Sequence, residues 1–402
     1  MNIWRCAVLV AVSTALLAHP QKPPAIQDTF ANSHRWFELR AEATAQSPLR
    51  LRAVLAAAFN DSAAESLLRR VIRETPRSPA ADDALAMLAR VYIRSGQYAR
   101  FASLYEEWRR LLPESELLRS EREDYDKFRQ RPNQINGPRK PSRLRHQVDG
   151  YPMLPIVIDT HAEEFIFDTG AWQSGVTDRM ARKLGLVVSD VARSLTDIAG
   201  NRVSFRTATA RDVTIGNMRF QNVSFAVISP QGPLAEVELG IIGMPLILAM
   251  GGITWSNDGS ATFGDAPRPS PAREANLVFD GRLVVRASVL DRFVNASLDT
   301  GANTTELNAN FADMFPDVVA KGRKASGSIT GIGGTQTYEA IELAELRILL
   351  GGQPVIARPA VVTMQRHATG GGACCIGNLG HDLLKQGAGF TIDLTTMTLV
   401  LR

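Results

Sequence analysis

The spacing of apolar residues changes character along this chain. From Asp28 to Lys127 they recur at helical intervals. Ser62-Ala-Ala-Glu65 has the form of a capping box, with Leu67, Leu68, Val71 and Ile72 behind it. Ser78-Pro79 supplies an N-cap and a proline at the first helical position. Leu85, Leu88, Ala89 and Tyr92 follow at i, i+3, i+4 and i+7; Phe101, Leu104, Tyr105 and Trp108 repeat the spacing after Gly96. Pro113 ends it. Two helices forming a hairpin are predicted, as in a tetratricopeptide unit. Only one unit is present and solenoids need several, so an ordinary helical bundle fits as well.

Residues 128–147 break the periodicity. Pro132, Gly137, Pro138 and Pro141 interrupt regular structure, and Arg129, Arg131, Arg139, Lys140, Arg143 and Arg145 make the stretch basic. A solvated linker is the plainer expectation; a processing site behind a helical prosegment is the sharper one. Beyond it the apolar runs become short and strand-like. A second breaker-rich stretch, Gly264 to Glu274, divides this region into residues 148–265 and 275–402.

The two halves repeat each other. Each opens with a strand pair that runs into Asp-Thr-Gly-Ala, at Asp168 to Ala171 and at Asp299 to Ala302. Each later carries two apolar or small residues and a glycine: Ile241-Ile242-Gly243, ending 75 residues after Asp168, and Cys375-Ile376-Gly377, ending 78 residues after Asp299. A repeat this close implies two copies of one fold, hence a mainly β protein with an α-helical N-terminal domain.

The 402 residues carry a formal net charge of +4 and no basic helix with interleaved aromatics, which argues against a nucleic-acid binder. At the N-terminus Arg5 precedes an uncharged apolar run, Cys6 to Ala18, ended by His19-Pro20. That layout predicts a signal peptide over residues 1–18 and a periplasmic or secreted protein. Leu16 is large for the minus-three position, so an uncleaved membrane anchor is the alternative. Cys374 and Cys375 are adjacent; strain between neighbours favours two small buried residues over a disulfide, although an exported protein could oxidise them.

The repeated motif carries the chemistry. An apolar strand holds each aspartate on rigid backbone. Gly170 and Gly301 let backbone N–H groups approach the carboxylates, and Thr169 and Thr300 brace the turns. Two such turns about a pseudo-twofold axis place Asp168 and Asp299 face to face. Like charges that close cannot both ionise, so the pair shares one proton. The charged member takes a proton from water while the protonated one donates to a carbonyl oxygen. Such hydrolysis calls for no cofactor and no metal. The six histidines form no His-Glu-x-x-His motif, and neither a Gly-x-Ser-x-Gly elbow nor a phosphate-binding loop is present. His381 reads as a helix-surface or buried structural histidine.

From Val148 to Arg402 the chain resembles the aspartic peptidase superfamily. It is similar to the retroviral type, with Ala after Asp-Thr-Gly, fused in tandem as in the pepsins. The resemblance implies two barrel-like lobes around one cleft, with Asp168 and Asp299 as the catalytic pair. It implies that Ile241-Ile242-Gly243 and Cys375-Ile376-Gly377 pack beneath the catalytic loops. It also implies flaps over the cleft, and Ile198, Gly200, Ile332 and Gly333 stand at their tips. Neither tip carries the tyrosine expected of pepsins. Trp172, where the other lobe has Asn303, can pack on its lobe or narrow the cleft, with packing the favoured expectation.

The expected function is aspartic endopeptidase activity on a peptide or protein substrate, with a protein partner open to the helical domain. An inactive peptide-binding scaffold is the alternative. Ala171 and Ala302 lack the hydroxyl that would lower a carboxylate pKa, so the working range should be less acidic than that of pepsins. The short tandem spacing favours pairing of the lobes within one chain.

Overall fold

The computed structural model describes residues 34–146, 150–196, 201–229, 237–265, 274–331, 333–364 and 374–402. Helices Trp36–Glu42, Leu49–Ala58, Ala64–Glu74, Pro79–Arg94, Tyr98–Leu111, Glu116–Ser120 and Arg122–Phe128 come first. The helix Pro79–Arg94 starts where its sequence says, with the Ala81 N–H donating to Ser78 Oγ at 3.1 Å. The capping box does not form. The preceding helix begins at Ala64 with Ala63 at the cap, and Glu65 is drawn away to accept from the Tyr92 hydroxyl at 2.7 Å. Leu68, Leu85, Leu88, Phe101, Leu104 and Trp108, all fully buried, make a core of their own for these helices.

The first lobe is a closed six-strand barrel. Met218–Ile228, Ser174–Thr177, Gly240–Ile242, His161–Phe167, Met153–Ile158 and Arg202–Ile215 pair in that order, and the last pairs back to the first. Closure leaves the ring without a free edge. Alternate residues, among them Leu154, Ile156, Ile158, Phe220 and Phe225, point inward and are fully buried.

The second lobe has the same path but curls without closing. Its sheet runs Arg323–Gly331, Gly334–Leu343, Ala360–Thr363, Glu306–Leu307, Gly377–Leu379, Arg292–Leu298, Leu283–Val289, Leu346–Leu350 and Gln353–Ala357, with Leu277–Phe279 beside Leu283–Val289. The difference lies in one hairpin. In the first lobe it is continuous, Arg202–Ile215 against Met218–Ile228. In the second, both strands are interrupted: one between Leu343 and Leu346, the other at Arg358-Pro359. Pro359 has no N–H to give the ladder.

A five-stranded sheet joins the lobes: Ser142–Arg145, Ser260–Phe263, Gly252–Ser256, Gly389–Asp393 and Thr398–Leu401. The stretch 128–146 is therefore built into the fold. Ile135–Asn136 adds to the barrel strand at Phe220 and Gln221, and Ser142–Arg145 forms an edge of the joining sheet. Arg139 Nε donates to the Ala249 carbonyl at 3.0 Å, so part of the basic charge closes a helix end.

The helices grip both lobes. Trp36, Phe37, Val54, Leu55 and Phe59 are part of the lobes' apolar cluster. Asn60 Nδ2 donates to Leu394 O at 2.9 Å, Arg286 pairs with Glu38 at 2.8 Å, and Arg131 reaches Ser224 Oγ at 2.7 Å. Cys374 and Cys375 are joined by a disulfide. That corrects the favoured expectation of two small unbridged residues; the oxidised alternative is the one present.

Candidate active site

The strands His161–Phe167 and Arg292–Leu298 each end one residue before an aspartate, which fixes the backbone under both carboxyls. The following turns repeat the same hydrogen bonds. The Gly170 N–H donates to Asp168 Oδ1 at 2.8 Å and the Gly301 N–H to Asp299 Oδ1 at 3.0 Å. The Asp168 N–H donates to Ile242 O at 3.1 Å, and the Asp299 N–H to Leu379 O at 3.0 Å.

The threonines clamp the loops together. Thr169 Oγ1 donates to Leu298 O at 2.8 Å and accepts from the Thr300 N–H at 3.1 Å. Thr300 Oγ1 donates to Phe167 O at 2.5 Å and accepts from the Thr169 N–H at 3.0 Å. Each hydroxyl thus ties its loop to the backbone of the other lobe. Glycine is required beside them for space: a Cβ on Gly170 would lie 2.7 Å from Asp299 Cγ, and one on Gly301 2.4 Å from Asp168 Cγ. The sequence-predicted pair, both threonines and both glycines therefore meet at one point.

Both carboxyls are buried, at 0% exposure for Asp168 and 3% for Asp299. Burial, then the charge of Asp299, holds the Asp168 carboxyl well above the usual carboxylate range. Burial also raises Asp299, but Asn378 and Arg282 oppose it. Asn378 Nδ2 donates to Asp299 Oδ2 at 3.0 Å, whereas Asp168 Oδ2 is buried without a neutral donor and faces the other carboxyl. Both carboxyls are thus held above the usual carboxylate range, with the donors that oppose the rise gathered on Asp299.

Asn378 was not among the expected site residues, and the reason is a register error of three. Ile166 and Phe167 pair with Ile241 and Ile242; Ser297 and Leu298 pair with Asn378 and Leu379. The element beneath the second loop is thus Asn378-Leu379-Gly380, not Cys375-Ile376-Gly377. Gly243 and Gly380 both precede a helix with extended backbone, at φ −101° and −93°. The helix that follows each, Met244–Met250 and His381–Leu384, was the signal that aligns them.

The ends of two hairpins, one from each lobe, meet each other. Asn201 Nδ2 donates to Gly334 O at 3.4 Å, and Gln336 Nε2 to Asn201 Oδ1 at 3.2 Å. Gly333 lies in the turn of the second hairpin, while Ile198, Gly200 and Ile332 fall outside the described residues. Trp172 is half-buried and joins no core cluster, contrary to the expectation that it packs into its lobe. His381 is buried, with its Nδ1 unpartnered among the described residues, and burial followed by Lys385 and His146 pushes it down to about 4.

Twinned Asp-Thr-Gly loops clamped between two barrel-type lobes give this chain a likeness to the aspartic peptidases. Residues 154–246 match the family model described as aspartyl protease. No curated protein matches the chain. Among solved structures, a retropepsin-like aspartic protease from Rickettsia conorii is similar at 20% identity and TM-score 0.24, over 33% of this chain and 93% of that one. An aspartic proteinase from Irpex lacteus is similar at 13% identity and TM-score 0.40, over 65% of this chain and 96% of that one.

Proposed function

We propose that the chain is an endopeptidase in which Asp168 and Asp299 activate water against a peptide carbonyl. The observation that carries this reading is the facing pair of buried carboxyls, each with a Gly N–H on one oxygen. A peptide lies between the lobes beneath the hairpin ends at Asn201 and Gly334. Closing those ends excludes water from the scissile bond and strengthens every charge interaction within. With no hydroxyl on Ala171 or Ala302 to stabilise both charges, the pair works at a pH less acidic than that of pepsins.

The protein acts outside the cytoplasm, on the strength of the apolar run Cys6 to Ala18. Among the described residues no helix is long and apolar enough to cross a membrane. The helical region is an integral part of the enzyme, because its aromatic residues share the lobes' apolar cluster.

The test uses the chain from His19 onward and a mixed peptide library between pH 3 and 8, read by mass spectrometry. Wild type is expected to cleave internal bonds, and the Asp168→Asn, Asp299→Asn double variant to leave the library intact. Peptides bound but uncut by wild type would overturn the reading in favour of a scaffold. Equal cleavage by both proteins would exclude the pair.

A further inference from the structure

The two lobes place different side chains at equivalent positions around the pair. Met153 pairs with Ile166 as Val284 pairs with Ser297, so the halves superpose in register through these strands. Carried two residues back, Tyr151 of the first lobe corresponds to Arg282 of the second. Ile241 corresponds to Asn378, as established above, and Ile166 to Ser297. At all three positions the first lobe is neutral, while the second offers a cation, an amide and a hydroxyl.

These three groups form a set. Arg282 Nη1 donates to Ser297 Oγ at 3.1 Å, which holds the guanidinium on the strand that leads into Asp299. Asn378 Nδ2 donates to Asp299 Oδ2. The charged and titratable groups that face Asp299 are Asp168, Arg282 and Tyr151; Asp280 also faces Arg282. Tyr151 brings a buried hydroxyl without a partner among the described residues, and no charge.

We infer that Arg282 and Asn378 are positioning residues that keep the negative charge on Asp299 and leave the shared proton on Asp168. The inference rests on the reading of the pair as a water-activating dyad. Asp299 is then the base. It takes a proton from water as the water oxygen bonds to the carbonyl carbon, and Asp168 gives its proton to the carbonyl oxygen. In the second step Asp299 passes its proton to the leaving nitrogen as the C–N bond breaks. One diol hydroxyl returns a proton to Asp168, which restores the starting state.

The test compares kcat/KM against pH for wild type, Arg282→Gln and Arg282→Lys on one peptide. Losing the cation makes Asp299 harder to ionise, so the acid limb of the Gln variant should move up by about half to one pH unit. Lys should restore the limb. A lower profile with an unmoved acid limb would overturn the inference and leave Arg282 a merely structural role. A second measurement needs no cleavage and no variant of Arg282. In wild-type protein labelled with ¹³C at aspartate carboxyls, Asp299 should give the lower of the two coupled ionisations. An Asp168 signal that ionises first would overturn the assignment. A wild type that cuts nothing yet ionises Asp299 first would sink the proposed activity and spare the asymmetry.

Discussion

The two lobes share a backbone plan and differ in nearly everything that surrounds it. In the first, a continuous hairpin closes a barrel, and the N–H groups of Gly170 and Ala171 attend Asp168. In the second, the hairpin is cut at Arg358-Pro359, the sheet stays open, and Asn378 and Arg282 attend Asp299. The hydrogen bonds of the catalytic turns are nevertheless matched to within a few tenths of an ångström. The turn geometry therefore needs the motif and its partner across the interface, not a closed ring. Chemical distinction between the carboxyls comes from side chains that the backbone symmetry leaves free to vary.

The heaviest blow to the symmetric part should come from the glycines. Gly301→Ala places a methyl 2.4 Å from Asp168 Cγ, and Gly170→Ala places one 2.7 Å from Asp299 Cγ. Each should lower kcat/KM by roughly 10²-fold or more, since a shift of about 1 Å in reacting groups costs that much. Retention of wild-type kcat/KM in either variant would show that the carboxyls need not stand in the observed contact. Next come the threonines. Thr169→Val and Thr300→Val each remove one donor and one acceptor from the buried clamp, at about 1–3 kcal/mol of stability. Urea midpoints should fall equally for the two, and a clear inequality would show that one lobe carries the clamp.

The asymmetric part is probed by making the second lobe like the first. Asn378→Leu removes the amide that favours ionised Asp299, so its pKa rises. The acid limb of kcat/KM should move to higher pH by about half a unit or more. A limb that stays in place would mean the hydrogen bond to Asn378 does not govern the pair. The smallest effect belongs to Cys374→Ser with Cys375→Ser. A bridge between neighbours closes almost no loop, so its removal should cost about 1 kcal/mol or less, a small shift in thermal midpoint.

How much of this could be read beforehand follows from what is local. Strand-Asp-Thr-Gly is a local signal repeated, and it located both carboxyls, both threonines and both glycines. The helices between Pro79 and Leu111 were equally legible from apolar spacing and the Ser78 cap. Asn378 was hidden because a hydrophobic pair before Gly377 imitated the expected element three residues early; only strand pairing separates the two glycines. Arg282 and Tyr151 stand in no motif, and their approach to the carboxyls depends on strands that meet in space. The strands inside residues 128–147 were obscured by prolines, which sheet edges tolerate. The grip of the helices on both lobes has no sequence signature, because the aromatic residues that make it look like those of any helical core.

The central claim is that one chain's two motifs make one dyad in which both aspartates are indispensable. It is tested most directly by kcat/KM on one cleavable peptide for Asp168→Asn alone, Asp299→Asn alone, and the two mixed in equal amounts. Each single variant should fall by about 10²–10⁴-fold, the range expected when a general acid or base is removed, and the mixture should stay as low as its parts. Wild-type activity in either single variant, or recovery on mixing, would contradict it.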